Sequence, residues 1–356
     1  MLEQWQERIT RAGHDGGAIQ LRGGGSKAFY GQEPCGDVLD TRAHTGIVNY
    51  EPTELVITVR AGTPLQELEA VLAGQHQMLA FEPPHFGEAT VGGCISAGLS
   101  GPRRARAGSL RDFVLGAQLL DGNGKLLNFG GQVMKNVAGY DVSRLLAGSL
   151  GTLGIITEVS LKVLPIPACE QTRVLTLAQN EAISTMRRWA GLPLPISATA
   201  WHGGELRVRL SGAATAVAAA AQQVGGSELE DSLAQNFWLQ LREQQLPFFA
   251  PGEMPLWRIA FPATAPVLAV DGLINDDNTL LEWNGTQRWL RTELPALKLR
   301  EMAAQAGGHA TLFRGGDKSQ GVFTPLQPGL VVLHNNLKRE FDPSGIFNPG
   351  RMYPVT

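Results

Sequence analysis

The run Arg22-Gly23-Gly24-Gly25-Ser26-Lys27, placed directly after the apolar stretch Ala18-Ile19-Gln20-Leu21, constrains this chain more than any other feature. Three consecutive residues without a Cβ let the backbone turn sharply after a strand and bring successive N–H groups to one side. A concave row of amide donors suits a diphosphate. The same residues also suit a plain turn, because glycine is at home in turns of many types. Neither the G-x-G-x-x-G of a Rossmann dinucleotide site nor the G-x-x-x-x-G-K-[ST] of a P-loop occurs, which argues against both folds.

Glycine density extends the point. The chain has 43 glycines in 356 residues, about 12%, against a usual figure of about 7%, and they are densest between Gly13 and Gly154. The first half therefore contains many tight turns or close backbone approaches. With 43% hydrophobic and 18% charged residues, a chain of this length buries a sizeable core and predicts two globular units, one of them split in sequence.

Net charge is -3 and the pI is near 6.2, so no general basic field attracts nucleic acid. Arg103, Arg104, Arg106 and Arg111 form a local cluster that reads either as a substrate-carboxylate site or as a solvated or partner-docking loop. The N-terminal residues Met1–Arg8 are polar and helix-like, without the apolar core of a secretory signal, and no apolar run reaches membrane-spanning length. Cys35, Cys94 and Cys169 are far apart and odd in number, which draws neither a disulfide framework nor an iron–sulfur or zinc site and predicts reduced thiols.

Along the chain, residues 1–12 predict a helix ended by glycines, followed by strands at Ala18–Leu21 and Val38–Asp40. The β-branched run Glu54–Arg60 predicts a buried strand, and Thr63-Pro64 predicts the cap and first turn of a helix with Leu65, Leu68 and Leu72 on its apolar face. Small residues at Gly93, Ala97 and Gly98 suit either close approach to a flat aromatic ligand or close helix packing. Asp112–Leu120 and Lys125–Phe129 predict a hairpin across Asp121-Gly122-Asn123-Gly124, Tyr140–Ala147 a short helix, and 155–163 a closing strand.

Beyond 168 glycine thins and alanine rises. Helices at 213–224 and 229–245 alternate with strands at 171–177, 196–202 and 205–210, which predicts a small α+β domain with helices on one face of an antiparallel sheet. Phe237, Trp238 and the Pro247-Phe248-Phe249 corner read as its core. A helix from Leu297 ends at Gly307-Gly308, a strand covers His309–Arg314, and a last helix carries Leu330, Leu333, Leu337 and Phe341 on one face before a terminal loop at Gly345–Arg351.

Six pieces in this order resemble the vanillyl-alcohol-oxidase type, or PCMH-type, FAD-binding family: Arg22–Lys27, Val59–Gly62, Thr90–Gly93, Gly108–Gly116, Gly148–Ile155 and Asp342–Gly350. Within it, Met134–Asp141, Gln244–Phe249 and Gly307–Thr311 resemble the E subunits of bacterial glycolate oxidases, a likeness over nearly the whole chain. The resemblance implies an α+β fold: a two-subdomain FAD-binding domain over residues 1–167, a smaller α+β cap over 168–325, and a C-terminal segment, 326–356, that packs back on the FAD domain. It implies FAD, with Arg22, Gly23, Gly24, Gly25, Ser26 and Lys27 at the pyrophosphate. Thr90, Gly92 and Gly93 would lie along the ribityl chain and flavin, Gly154 and Ile155 near the adenosine, and Asn348 and Arg351 near the ring edge. Covalent relatives often carry a His where this chain has Ser26, so the expected FAD is non-covalent.

The resemblance further implies oxidation of glycolate, with D-lactate as a second substrate, in company with a longer flavin subunit and an iron–sulfur subunit. The expected location is the cytoplasm, with attachment to the inner face of the cell membrane only through those partners. Relatives that oxidise 2-hydroxy acids unaided carry a His-x-His pair that holds a divalent metal, and the seven histidines here include no such pair. No metal is therefore expected, and the catalytic base is open: His309 and His85 are the candidates, each equally readable as structural. The opposed expectation is a non-catalytic flavoprotein relay whose partner carries the substrate chemistry.

Overall fold

The computed structural model describes residues 1–131, 141–268, 270 and 272–353, and the chain divides into two units: residues 1–100, 109–166 and 325–356 make the first, 101–108 and 167–324 the second. The motif residues Met134–Tyr140 lie outside the described residues.

The first unit begins with α1 (Leu2–Asp15), which buries Trp5 and Ile9 and ends at Gly16 with φ 68°, a left-handed cap that favours glycine. Strand β1 (Ile19–Arg22) pairs in parallel with β2 (Asp37–Asp40). Then come β3 (Ile47–Glu51), β4 (Val56–Arg60), α2 (Leu65–Ala73), the short β5 (Gln77–Met78) and α3 (Val91–Ala97). Past α5 (Leu110–Phe113), β6 (Val114–Leu120) and β7 (Leu126–Gly130) form the hairpin, and β8 (Ile155–Lys162) and β9 (Leu164–Pro165) follow. The five-stranded sheet has the order β3-β4-β8-β6-β7 and every pair in it is antiparallel.

β4 lies between β3 and β8, and its four consecutive buried residues from Val56 to Val59 explain an apolar run without alternation. Thr63 does not cap α2; its hydroxyl accepts from the Gly46 amide at 2.9 Å, and the helix starts behind Pro64 without a side-chain cap. The hairpin turn is held by Asp121, whose carboxylate accepts from the amides of Asn123 (2.9 Å) and Lys125 (2.8 Å). The strand begins at Val114 and not at Asp112, because a Ser109–Asp112 capping box folds the preceding residues into α5. Of the helix expected at 140–147, a single 3-10 turn at Ser143–Leu145 is seen.

The second unit starts with α4 (Arg104–Ala107) and continues from β10 (Cys169–Thr176) through α6 (Gln179–Ala190), β11 (Ile196–His202), β12 (Glu205–Gly212), α7 (Ala214–Val224), β13 (Ser227–Leu229) and α8 (Asp231–Arg242). β14 (Leu256–Ala260), β15 (Thr279–Glu282), β16 (Gln287–Arg291), α9 (Ala296–Gln305) and β17 (His309–Arg314) complete it. The strands form one eight-stranded antiparallel sheet, β13-β10-β12-β11-β15-β16-β14-β17. α6 and α7 share a core with Trp201, Leu206, Val208 and Leu210, and α9 packs with Trp257, Ile259, Leu290 and Leu312.

Helices do not keep to one face. Trp238 of α8 donates from its indole to Thr172 at 2.9 Å and lies 5.0 Å from the Arg209 guanidinium, on strand positions that alternate with the α6/α7 core. Trp238, Phe248 and Phe249 are buried, as their size predicts.

The arginine cluster is divided: Arg103 and Arg104 are drawn into packing, while Arg106 and Arg111 are exposed. Arg103 is buried and donates to Glu170 at 2.5 Å and to Ser211 at 3.3 Å, Arg104 stacks on Trp283 at 4.3 Å, and the Trp283 indole donates to the Gly101 carbonyl at 3.0 Å. These contacts make residues 101–108 part of the second unit's packing. Arg103→Ala is therefore expected to destabilise that unit by about 1.5–3 kcal/mol, the scale of a hydrogen bond to a charged group, toward the lower end because Glu170 keeps access to water. Differential scanning calorimetry would show the shift; an unchanged transition would return the cluster to the surface.

After the second unit, α10 (Pro328–Phe341) and the segment behind it rejoin the first. Asp342, almost fully buried, meets Lys338 at 2.5 Å and accepts from the amides of Ile346 (3.0 Å) and Phe347 (2.8 Å). Lys338 also donates to the carbonyls of Thr152 (2.7 Å) and Phe347 (2.9 Å). The folded-back tail then lies along β1: the Ile19 amide donates to Ile346 at 2.7 Å, and the Asn348 amide donates to Ile19 at 3.0 Å. Ile346 and Phe347 share a core with Trp5, Ile9, Ile19, Leu39, Leu120 and Ile155.

Candidate cofactor site

The turn after β1 is shaped by what approaches it from behind. A Cβ on Gly23 would lie 2.2 Å from the Thr90 hydroxyl, and one on Gly24 only 1.4 Å from the Glu88 carbonyl oxygen. Gly25 has φ 72°, where glycine is favoured. Only glycines let residues 23 and 24 press against the 88–90 segment while the other side of the turn stays open. Among the described residues, the amide N–H groups of Gly23, Gly24, Gly25 and Ser26 are not taken by any protein acceptor.

Those amides face a cleft of about 670 Å³, counting its open mouth. Arg22 and Lys27 line it, and among the described residues no carboxylate does. Lys27 donates to the His85 carbonyl at 3.0 Å, which ties the floor of the cleft to the Pro84-His85-Phe86 loop, and its ammonium lies 5.6 Å from the Phe86 ring. Thr90 caps α3, its hydroxyl accepting from the Gly93 amide at 3.3 Å. An amide row, a cationic flank and the absence of acidic walls fit a diphosphate.

The tail closes the cleft. Asn348 accepts from the Leu21 amide at 2.9 Å and donates to the Leu150 carbonyl at 2.7 Å, holding together two segments far apart in sequence. Arg351 is buried and donates to the carbonyls of Ala28 and Tyr30, both at 2.7 Å, and to Gln32. Burial holds its pKa below the usual guanidinium value. Arg351 is thus a clamp on the 28–32 loop.

The cleft gathers ten of the thirteen residues named from the sequence: Arg22, Gly23, Gly24, Gly25, Ser26, Lys27, Thr90, Gly93, Asn348 and Arg351. Gly92, Gly154 and Ile155 do not line it. Gly92 packs on Ala61, where a Cβ would come within 2.8 Å, and Gly154 backs onto the Leu120 carbonyl. Ile155 belongs to the core under β1. Ala97, one of the small residues singled out from the sequence, lines the cleft too, and so does Ser96, which was not named; they stand four and three positions beyond Gly93 on α3, a spacing that puts them on its face. Cys94, on the buried side of α3, has its thiol pushed up to about 12 by burial and stays protonated.

The two candidate histidines belong to different units. The His85 ring sits 3.0 Å from Glu69 and does not line the cleft. His309 begins β17 beside Arg258, and desolvation, then that positive charge, hold its pKa below the usual histidine value. Among the described residues no three His, Cys, Asp or Glu side chains form a metal-holding group, and no helix is long and apolar enough to cross a membrane.

Residues 2–130 match the family described as FAD binding domain. Among solved structures, alkyldihydroxyacetonephosphate synthase shares the fold with a TM-score of 0.68 across 97% of this chain and 74% of its own, at 15% identity. Fold and cleft together define the first unit as a PCMH-type FAD-binding domain. The sequence is 48% identical to the glycolate oxidase subunit GlcE of Escherichia coli (strain K12), over 98% of this chain and 96% of the relative. The chain belongs to the family of that subunit. It is also 33% identical to the glycolate oxidase subunit GlcD of Bacillus subtilis (strain 168), over 46% of this chain and 35% of that one.

Proposed function

We propose that this chain is the FAD-binding E subunit of a glycolate oxidase, an oxidoreductase acting on the CH–OH of glycolate, and of D-lactate, to give the 2-oxo acid. The observation that carries the reading is the cleft itself, in which the glycine turn, the α3 N-terminus and the returning tail converge in a chain that matches GlcE from end to end. FAD, when bound, accepts the two electrons removed from the alcohol carbon. The protein's part is positional. Gly23–Ser26 amides and the Arg22 and Lys27 cations would hold the diphosphate, Thr90, Gly93, Ser96 and Ala97 would flank the remainder of the cofactor, and Asn348 and Arg351 would fix the wall. Among the described residues no histidine lines the cleft, which supports an FAD held without a covalent bond to His.

Electrons leave through companion subunits, a longer flavin chain and an iron–sulfur chain, and the protein resides in the cytoplasm or at the membrane through them. A second reading, a relay whose partner holds the substrate, draws support from His85, whose ring is engaged by Glu69 and not turned to the cleft. Anaerobic titration separates the two. Bleaching of the flavin absorbance by glycolate in the isolated chain is the result expected of a complete site here. Bleaching only in the reconstituted complex is the result expected of the relay, and no bleaching in either defeats both.

A further inference from the structure

Among the described residues, Lys27 is the single lysine that lines the glycine cleft. A lysine is a point charge on a flexible four-carbon stem, so it serves a diphosphate well only where other groups fix it in advance. Here the ammonium donates to the His85 carbonyl at 3.0 Å and to the Ser26 hydroxyl at 3.4 Å, and it lies 5.6 Å from the Phe86 ring. Two of these three contacts come from His85-Phe86, in the loop between β5 and α3.

That dipeptide holds a shape its residues disfavour. Phe86 has φ 53° and Gly87 has φ 109°, and a bulky residue stays in the left-handed region only where its surroundings impose it. The two ends of the loop are fixed by main-chain bonds. At the start the Glu82 amide donates to the Leu79 carbonyl at 2.9 Å; at the end the Leu65 amide donates to Ala89 at 2.8 Å and the Val91 amide to Thr63 at 2.9 Å. Between those ends, side chains do the holding. The His85 ring meets the Glu69 carboxylate at 3.0 Å, and because a carboxylate only accepts, Nε2 carries the hydrogen. The Phe86 ring packs on Phe29 at 5.7 Å. Glu69 stands on α2 four positions beyond Leu65 and one beyond Leu68, both fully buried, so the helix delivers its carboxylate at the edge of its packed face. The side chains of His85 and Glu69 are only 16% and 29% exposed, which shields the pair from water.

We infer that Glu69 and His85 are positioning residues for the cofactor: the carboxylate fixes the imidazole, the imidazole fixes the strained loop, and the loop's carbonyl holds the Lys27 ammonium where the diphosphate would meet it. The inference rests on the cofactor reading above. It also reverses the sign that charge alone would give. A carboxylate close to a diphosphate site repels the ligand, so removing Glu69 would tighten FAD if its field were all that mattered. Removing a support of Lys27 loosens FAD instead.

The test is titration of the flavin-free chain with FAD, followed by fluorescence quenching. Glu69→Ala and His85→Ala are each expected to weaken FAD about tenfold, the scale of one contact to a charged group. Glu69→Gln, whose amide oxygen still accepts from the imidazole, should stay within about twofold of wild type. His85→Phe keeps the bulk of the ring without its donor and should show the same loss as His85→Ala, so the outcome does not hang on how an alanine variant folds. Glu67→Ala removes an exposed carboxylate of the same helix and should bind FAD as wild type does. In a Lys27→Met background Glu69→Ala should cost nothing further, because both changes act through one ammonium. A Glu69→Ala chain that binds FAD as tightly as wild type, or tighter, overturns the inference, and so does a tenfold loss that persists undiminished in Lys27→Met. A wild-type chain that takes up no FAD overturns the cofactor reading along with it.

Discussion

Gly24→Ala is expected to yield a colourless protein. A single Cβ at this position would stand 1.4 Å from the Glu88 carbonyl oxygen, so the turn after β1 and the segment that caps α3 cannot both keep their places. The obstruction is backbone and not the far end of a flexible side chain, so it does not relax by a rotamer change. Displacing the turn by even 1 Å takes the amides of residues 23–26 out of line with the diphosphate they are to hold. Loss of two such charge-assisted bonds is worth about 3–6 kcal/mol, or at least 100-fold in FAD affinity. Flavin titration monitored by fluorescence quenching measures this directly. A Gly24→Ala protein that takes up FAD with unchanged affinity would remove the cradle from the cofactor site. Gly148→Ala makes the contrast: nothing lies within 4 Å of its added Cβ, so any cost arises from its φ of 85° alone.

The second large effect is expected on stability, from Asp342→Ala. Its carboxylate is fully enclosed and accepts from Lys338 and two amides. Removing it leaves the Lys338 ammonium, itself only 13% exposed, without its counter-charge, and frees two buried N–H groups. Breaking one side of a buried pair costs about 3–5 kcal/mol. In a unit of this size that is roughly 6–20 °C in thermal midpoint. Because the same carboxylate folds Ile346 and Phe347 back toward β1, FAD uptake should weaken together with stability. A variant that melts within 2 °C of wild type, against the scale just given, would show the tail to be held by other means.

Much of the first unit was legible because its physical causes are local. A β-branched run predicts a strand, Asp121-Gly122 predicts a turn, and three glycines after a strand predict an open row of amides. The end of the chain was legible for the same reason: Asp342-Pro343 ends a helix, and Gly345 to Gly350 marks a built loop. What escaped depends on distant partners. Arg103 looks like surface charge until Glu170, 67 positions on, and Ser211 are seen to take its donors while it is buried. The strands at β14, β15 and β16 went unnamed because Arg258, Glu282, Gln287, Arg288 and Arg291 interrupt their apolar rhythm. Several of these are buried by one another, Gln287 and the Trp289 indole both donating to Glu282. Gly92, read from the sequence as lying along the cofactor, also packs α3 closely on Ala61, a need for glycine that depends on a residue 31 positions away. The spacing of the α10 leucines puts them on one face of a helix, but it does not tell that Phe341 is buried while Leu330 and Leu333 stay exposed.

The return of residues 345–351 to β1 gives manufacture of the holoprotein a fixed order. The glycine turn and the α3 residues of the cleft precede the main body of the second unit in the sequence, but Asn348 and Arg351, which wall it, come only after that unit. Until residues 345–351 have folded back onto β1, the glycine turn is an open shelf, not a recess.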